Sequence, residues 1–459
     1  MKKTNNDKKN NSIVKKRLKI IGIICLSIIL IELIIMYFIH LNRNSDIIFI
    51  DTLNSVHGYD NYYIASGSSN FYYSNYHDSY IYEYHDDINK DVINRSYAEQ
   101  AKLVSYDKEL NLVFESTFKC DYDSTFYDAI MVNDSIYAVG SYVYEEKQIS
   151  LNTRDGLLVK YDLNGHMIWF KNYQVLGDTE LKKIIAVDDG IIVVGQSIYE
   201  NYEVGNHNMG GGIIIKYDFD GEIIWTNNWG GNKSGIFNDV KKVEDGYIAV
   251  GRDAYNYGMI VKFSLDGDFI WVKNYENTDT NGMTDIEIKD DKMYIAGSYN
   301  KSNETTEEGN KIYDYDACIF VYDLNGNYIT LYPFGGSDTE RFNSLILLDD
   351  SIVAVGYTMS SDIPLNKLNY QEKMSEGMIV KFDYEGNIIN SKVYSGSKNE
   401  TLSDISLAIS ETKNLINGTN NYIIVGYTNS KRGLFKGNNK DYFAKIINYD
   451  SELSIVQEK

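Results

Sequence analysis

The chain has 459 residues, with 44 Lys and Arg against 65 Asp and Glu, for a formal charge of −21. A composition of 43% hydrophobic and 24% charged residues is that of a globular protein and excludes wholesale disorder. Two Pro exclude a proline-rich linker, three Cys exclude a disulfide framework, and 41 Tyr with abundant Ile and Asn favour strands and turns over helices.

The first 19 residues form a basic tail that includes Lys2, Lys3, Lys8, Lys9, Lys15, Lys16, Arg17 and Lys19. An apolar run at 20–39 follows. Twenty helical residues at about 1.5 Å each match a hydrocarbon thickness of about 30 Å. The flanking positive charge predicts a single transmembrane signal anchor, with the N-terminus cytoplasmic and the C-terminal domain extracellular. A cleaved signal peptide fits less well, because the run is long and MYFIHLNRN offers no small-residue cleavage site. Cys25 likewise lacks the small residues that precede a lipidated Cys. Glu32 lies inside the span. A carboxylate at that depth costs about 2–3 kcal/mol, which makes it the candidate for contact with a partner's transmembrane helix. Its alternative is a protonated side chain that the anchor tolerates. Residues 1–43 carry 9 basic and 2 acidic groups, so the rest of the chain holds 35 basic and 63 acidic groups, a charge of −28. That charge argues against nucleic-acid partners.

Residues 44–459 are built from repeats. SYDKELNLVF, KYDLNGHMIW, KYDFDGEIIW, KFSLDGDFIW, VYDLNGNYIT, KFDYEGNIIN and NYDSELSIVQ align without a gap. Their middle five members share Gly165, Gly221, Gly267, Gly326 and Gly386, where the terminal two have Leu110 and Leu453. A second block precedes each and ends on Gly67, Gly140, Gly195, Gly251, Gly297, Gly356 or Gly426. The spacing, about 57 residues, suits a four-stranded unit with loops. Segments such as VDDGIIVVG and KYDLNGHMIW read as strand, tight turn, strand, so each repeat is two hairpins. Runs such as GMIVKF do not alternate, as expected of sheets covered on both faces. The second-block Gly marks a crowded inner position. Phe114, Trp169, Trp225 and Trp271 share one register and should pack between units.

These features predict an all-β fold, a seven-bladed β-propeller of four-stranded antiparallel blades behind one N-terminal transmembrane helix. The blades fall at about 44–119, 120–175, 176–231, 232–275, 276–336, 337–396 and 397–459. An open solenoid is the structural alternative.

At 335–364 the sequence GGSDTERFNSLILLDDSIVAVGYTMSSDIP resembles the bacterial β-propeller repeat called SBBP. The matching positions are Gly335, Gly336, Asp338, Gly356, Tyr357, Thr358, Ser360, Asp362 and Pro364, with part of the pattern again at Gly426, Tyr427, Thr428 and Ser430. The resemblance covers one blade well and the rest loosely. It implies an extracytoplasmic propeller without a general catalytic site. A weaker likeness to quinoprotein-type repeats rests on Asp162, Gly165 and Trp169 and on Asp218, Gly221 and Trp225. The small residues before that Asp are missing, and no cofactor is expected.

In a four-stranded meander the turns between strands 1–2 and 3–4 share one end. The 2–3 connections share the other with the interblade links. The sequence predicts long 2–3 connections at 68–99, 141–154, 196–210, 298–315, 357–376 and 427–440, with only the fourth blade's short. The loop-rich end is therefore the expected binding face. Within 68–99, Tyr72, Tyr73, Tyr76, His77, Tyr80, Tyr82, Tyr84 and His85 are the candidate ligand-binding residues, because amphipathic Tyr suits contact with protein or sugar. The alternative is a hairpin packed on its own propeller. His77 and His85 lack a ligand spacing, so no metal is assigned. Asp107, Asp162, Asp218, Asp323, Asp383 and Asp450 read as turn residues rather than calcium ligands. No Ser-His-Asp, zinc-hydrolase or phosphate-loop motif is present, so no catalytic residue is assigned. The functional expectation is a non-enzymatic binding or scaffold module for an envelope protein or glycan. The alternative is a carbohydrate-active lyase or hydrolase using carboxylates and Tyr in the central funnel. The low Pro with high Ile, Asn, Lys and Tyr suggests a bacterial source.

Overall fold

The computed structural model describes residues 47–458, apart from several connections, the longest being 74–98, 144–153, 303–313, 365–375, 395–405 and 429–442. From 406 onward only backbone strands are described. The chain divides into two units. One, Met1–Ile48 with Phe71–Tyr97, contributes only strand ends to the described residues. The other, Phe49–Asn70 with Ala98–Lys459, is an all-β propeller.

Its sheets are four-stranded antiparallel meanders in strict chain order. The 3–4 hairpin forms as the repeat demands. Gly165, Gly221, Gly267, Gly326 and Gly386 all adopt φ between 76° and 89°, the left-handed region open to glycine. Leu110 occupies the same slot in the first repeat and takes φ 56°. In four of the five glycine turns the Asp three residues before the Gly closes the turn, its Oδ1 accepting the amides two and four residues on, and in the fourth blade Ser264 takes its place, its Oγ accepting the Asp268 amide. Those amides are Asn164 and His166 at 2.9 and 2.8 Å for Asp162, and Asn325 and Asn327 at 2.9 and 2.8 Å for Asp323. Asp218 and Asp383 do the same. These carboxylates are used by their own backbone, the turn role read from the sequence.

Packing runs between consecutive blades. Ile64, Leu103 and Phe118 of the first blade join Phe126, Ala138, Leu157 and Tyr161 of the second. Val139 and Leu158 of the second join Leu181, Val193 and Ile215 of the third. Similar clusters join the third blade to the fourth, the fourth to the fifth and the fifth to the sixth. Second and third strands are buried throughout, as in Ser135–Tyr142. This is why their sequences are apolar without alternation. The fourth-strand aromatics lie between blades as expected. A Cβ on Gly221 would stand 2.6 Å from the Trp169 ring of the preceding blade, and Gly165, Gly267 and Gly326 face Phe114, Trp225 and Trp271 in the same way. Before Gly386 that place is taken by Tyr332, two residues beyond the register the repeat assigns.

The expected ring of seven blades behind a transmembrane helix requires correction. Among the described residues the propeller has six blades with packed side chains, at 47–118, 124–173, 179–229, 236–274, 280–334 and 340–394. The seventh repeat, at 406–458, pairs into four strands of backbone. Its side chains lie outside the described residues, and no described core cluster ties it to the first blade. Counting repeats counts four-stranded sheets. It does not fix how many interlock, which depends on side chains at the joint between the terminal repeats. No described helix is long and apolar enough to cross a membrane. The segment 20–39 lies outside the described residues.

The 2–3 connections also differ in one place. The strands Gly190–Asn201 and Asn206–Tyr217 continue their pairing as far as Asn201 with Asn206. The expected loop at 196–210 is therefore mostly a long hairpin, with 202–205 as its connection. A polar run followed by glycines, NHNMGGG, has the composition of a loop but can pair as strand once a neighbour is supplied.

Candidate functional site: the central channel

The first strand of each blade lines the channel, and each described one from the second blade to the sixth carries a β-bulge. Pairing with the second strand slips between Phe126 and Asp128, Leu181 and Lys183, Phe237 and Asp239, Met283 and Asp285, and Phe342 and Ser344. The residue left over bends the strand. The bend drives a carbonyl over the second-strand Gly. A Cβ on Gly140, Gly195, Gly251 or Gly356 would collide with the carbonyl of Thr125, Glu180, Ile236 or Arg341. The crowding anticipated at these glycines has this origin.

The bulge also frees the carbonyl before it, and the neighbouring blade takes it. Asn54 Nδ2 donates to the Phe126 carbonyl at 2.8 Å, Asn238 Nδ2 to that of Met283 at 2.7 Å, and Thr284 Oγ1 to that of Phe342 at 2.9 Å.

One residue beyond each bulge, the side chains form a charged circuit. Successive blades supply Asp128, Lys183, Asp239, Asp285 and Ser344. Asp128 Oδ2 accepts the Ile184 amide of the next blade at 3.2 Å. Asp239 Oδ2 accepts the Ile286 amide at 3.0 Å, and Asp285 Oδ2 accepts the Leu345 amide at 2.8 Å and the Ser344 hydroxyl at 2.7 Å. Each carboxylate therefore stitches its blade to the following one. Lys183 lies 3.6 Å from Asp128, and Lys241 lies 3.8 Å from Asp239 and 2.9 Å from Glu287. His57 of the first blade pairs with Asp128 at 2.7 Å.

Burial would raise the Asp128 carboxyl, but Lys183 and His57 outweigh it and hold the group well below the usual range. Burial would lower Lys183 and Lys241, yet Asp128 for the first and Asp239 with Glu287 for the second keep both firmly charged. Asp239 and Asp285 are hydrogen-bonded to each other and divide the labour. Against burial, Lys241 and Lys183 pull Asp239 down, whereas burial and the charge of Asp239 push Asp285 far up. Of the two, Asp285 is the member driven toward its protonated form.

These groups line a cavity of about 490 Å³, reached by first strands of all six blades. Tyr59 stands at its first-blade side, its hydroxyl accepting the Met131 amide at 2.6 Å and its pKa pushed by burial up to about 12.

The paired carboxylates resemble what the enzyme reading asks for. Their oxygens, however, are occupied by backbone amides, including Val240 to Asp239 Oδ1 at 2.7 Å, and the Asp239 side chain is only 1% exposed. They are built to hold blades together.

None of these residues was singled out from the sequence. The signal was present as an apolar residue, one spacer, then a charge: Phe126-x-Asp128, Leu181-x-Lys183, Phe237-x-Asp239 and Met283-x-Asp285. Of the candidates taken from the sequence, Tyr72 and Tyr73 end the strand Tyr62–Tyr73, with their side chains outside the described residues. Tyr76, His77, Tyr80, Tyr82, Tyr84, His85 and Glu32 lie outside the described residues altogether.

No family model matches the chain, and no curated protein sequence matches it. Among solved structures it is similar to the extracellular domains 1–2 of Drosophila Semaphorin 1a, with a TM-score of 0.40 at 8% identity over 72% of this chain and 77% of that one. It is similar at the same score and identity to a mutant α-L-arabinofuranosidase from Fusarium graminearum in complex with an iminosugar inhibitor, over 70% of this chain and 91% of that one. Drosophila Plexin A in complex with Semaphorin 1b aligns with a TM-score of 0.36 at 9% identity, over 73% and 77%.

Proposed function

We propose that the protein is a membrane-anchored, extracytoplasmic propeller that binds an envelope protein or glycan through its loop-rich end, without turning it over. The observation that carries this reading is the asymmetry of the two ends. In the first six blades the 1–2 and 3–4 turns are two to five residues long, such as 133–134 and 383–387, whereas the 2–3 connections reach 74–98, 143–154, 301–314 and 359–375. Variable insertions on one end of a rigid scaffold are where recognition is built. The use of the channel carboxylates as blade ties supports binding over catalysis. The basic tail with its apolar run supports the anchor, and the segment 335–364 supports an SBBP-type repeat.

The test uses full-length protein in detergent micelles and a variant with 74–98 replaced by a short Gly-Ser linker. Both are challenged with envelope polysaccharide and with solubilised envelope proteins. Saturable binding by the intact chain, reduced at least tenfold in the variant, is the expected result. Release of reducing sugar from the polysaccharide, abolished by Asp239→Asn, would overturn it in favour of an enzyme.

A further inference from the structure

At the loop-rich end of the channel, basic side chains converge in a protein that is otherwise strongly acidic. Lys182 is the bulge residue of the third blade. Its ammonium lies 3.4 Å from the centre of the Tyr127 ring and 2.8 Å from Glu180 Oε2. Arg154, at the start of the second blade's third strand, donates to Glu180 Oε1 at 3.3 Å. Arg252 ends the second strand of the fourth blade and lies across the fifth, where a Cβ on Gly282 would meet its side chain at 3.1 Å. Arg341 opens the first strand of the sixth. Burial and then Arg154 and Arg252 lower Lys182 despite Glu180, and burial and then Arg252 lower Arg341, so Arg252 lies within electrostatic reach of both Lys182 and Arg341.

One carboxylate, Glu180, serves Lys182 and Arg154. Glu180 already accepts from Tyr127 at 3.1 Å and Gln196 at 2.9 Å besides Arg154 and Lys182. Arg252 donates to the neutral Asn256 side chain. Arg341 Nε is shut off from solvent and has no hydrogen-bond partner. Among the described residues no carboxylate pairs with either arginine. A guanidinium Nε–H shut off from water without an acceptor is costly, and the fork geometry of two arginines suits an oxyanion.

We infer that Arg341, Arg252, Lys182 and Arg154 form an anion-binding site for a phosphate-type oxyanion, free or as a monoester, at the loop-rich mouth of the channel. The anion accepts from Arg341 and Arg252 and supplies the charge that Glu180 alone does not. The inference stands apart from whatever the loops bind.

Thermal unfolding of the full-length protein in micelles at pH 7.5 tests it, with inorganic phosphate titrated against chloride at matched ionic strength. Ligand that binds only the folded state raises the midpoint in a saturable way. The expected result is saturation with phosphate and none with chloride. Apparent affinity should fall at least tenfold in both Arg341→Gln and Arg252→Gln, and stay unchanged in Lys292→Gln, an exposed lysine at the opposite end. Without phosphate, Arg341→Gln should melt no lower than the parent, since it removes an unpaired charge. If Arg341→Gln does not fold, the exposed Arg252 decides alone. A phosphate response equal to that of chloride, or one that both arginine variants retain, overturns the site.

Discussion

Asp239 and Asp285 look interchangeable in sequence, yet their replacement by Asn should have opposite consequences. Asp239 is the ionised member. An amide there keeps one acceptor oxygen where two amides are bound, Val240 at 2.7 Å and Ile286 at 3.0 Å, and turns an NH2 toward the other. An unsatisfied buried N–H costs about 1–3 kcal/mol. Lys241 loses its neighbour at 3.8 Å but keeps Glu287 at 2.9 Å. Adding the lost pairing gives about 3–5 kcal/mol for breaking a buried ionic tie. Asp285 is the member that burial and the charge of Asp239 push toward the protonated form. Its Asn can accept from Leu345 and Ser344 and donate to Asp239 as the acid does, and it loses only the 3.1 Å contact of Oδ1 with the Ile286 amide, which keeps Asp239, at a cost of about 1 kcal/mol.

Guanidinium unfolding of the full-length protein at pH 7 measures the difference as a shift in midpoint. The same pair sets a pH dependence. Asp285 binds its proton more tightly folded than unfolded, where an Asp titrates near about 3.9. Its contribution is therefore complete below that pH and is lost as pH rises through the higher folded value. Asp285→Asn removes this decline, so its stability relative to the parent should grow as pH rises above the ordinary carboxylate range. Equal losses in the two variants at pH 7, or a parent whose stability relative to Asp285→Asn rises with pH, would refute the division of charge.

Gly251→Ala should lose about 2–3 kcal/mol through collision with the Ile236 carbonyl. Gly297→Ala should lose less, because its nearest carbonyl, that of Gly282, would stand 2.8 Å away; chemical denaturation ranks the two. Leu110→Gly relieves a left-handed φ of 56°, worth about 1 kcal/mol, but removes a fully buried side chain worth about 2–5 kcal/mol, so the variant should unfold at lower denaturant. Cys318 is buried, and burial raises its thiol well above the ordinary value, so a maleimide should modify the half-buried Cys120 in the native protein while Cys318 reacts only after denaturation, as peptide mapping would show.

Much of the blade was legible in the sequence because its constraints recur. Every 3–4 hairpin needs a left-handed residue at one position, and five glycines supply it. The fourth strands of the first four blades each place an aromatic against the next blade's turn, which shows as Phe114, Trp169, Trp225 and Trp271. Where Tyr332 does this from two residues farther along, the alignment lost it, since packing asks for a ring in a place rather than a letter in a column. The channel was illegible for the opposite reason. Asp128, Lys183, Asp239, Asp285 and Ser344 meet side chains of other repeats, so complementarity requires them to differ. A consensus averages such residues away.

The bulge links these two kinds of information. Glycine recurs at the end of the second strand because the first strand bends over it, and the strand bends because it holds one residue too many. That extra residue exposes a carbonyl, and Asn54, Asn238 and Thr284 reach from the preceding blade to cover it. It also shifts the pleat, so the next residue, charged in four of the five bulged strands, falls beside the backbone amide of the following blade. Without the bulge the period-two alternation would send that residue to the opposite face of the sheet. The repeated Gly is therefore the visible trace of the unrepeated charges. It marks, in each blade, which residue of the neighbouring strand will carry charge into the channel.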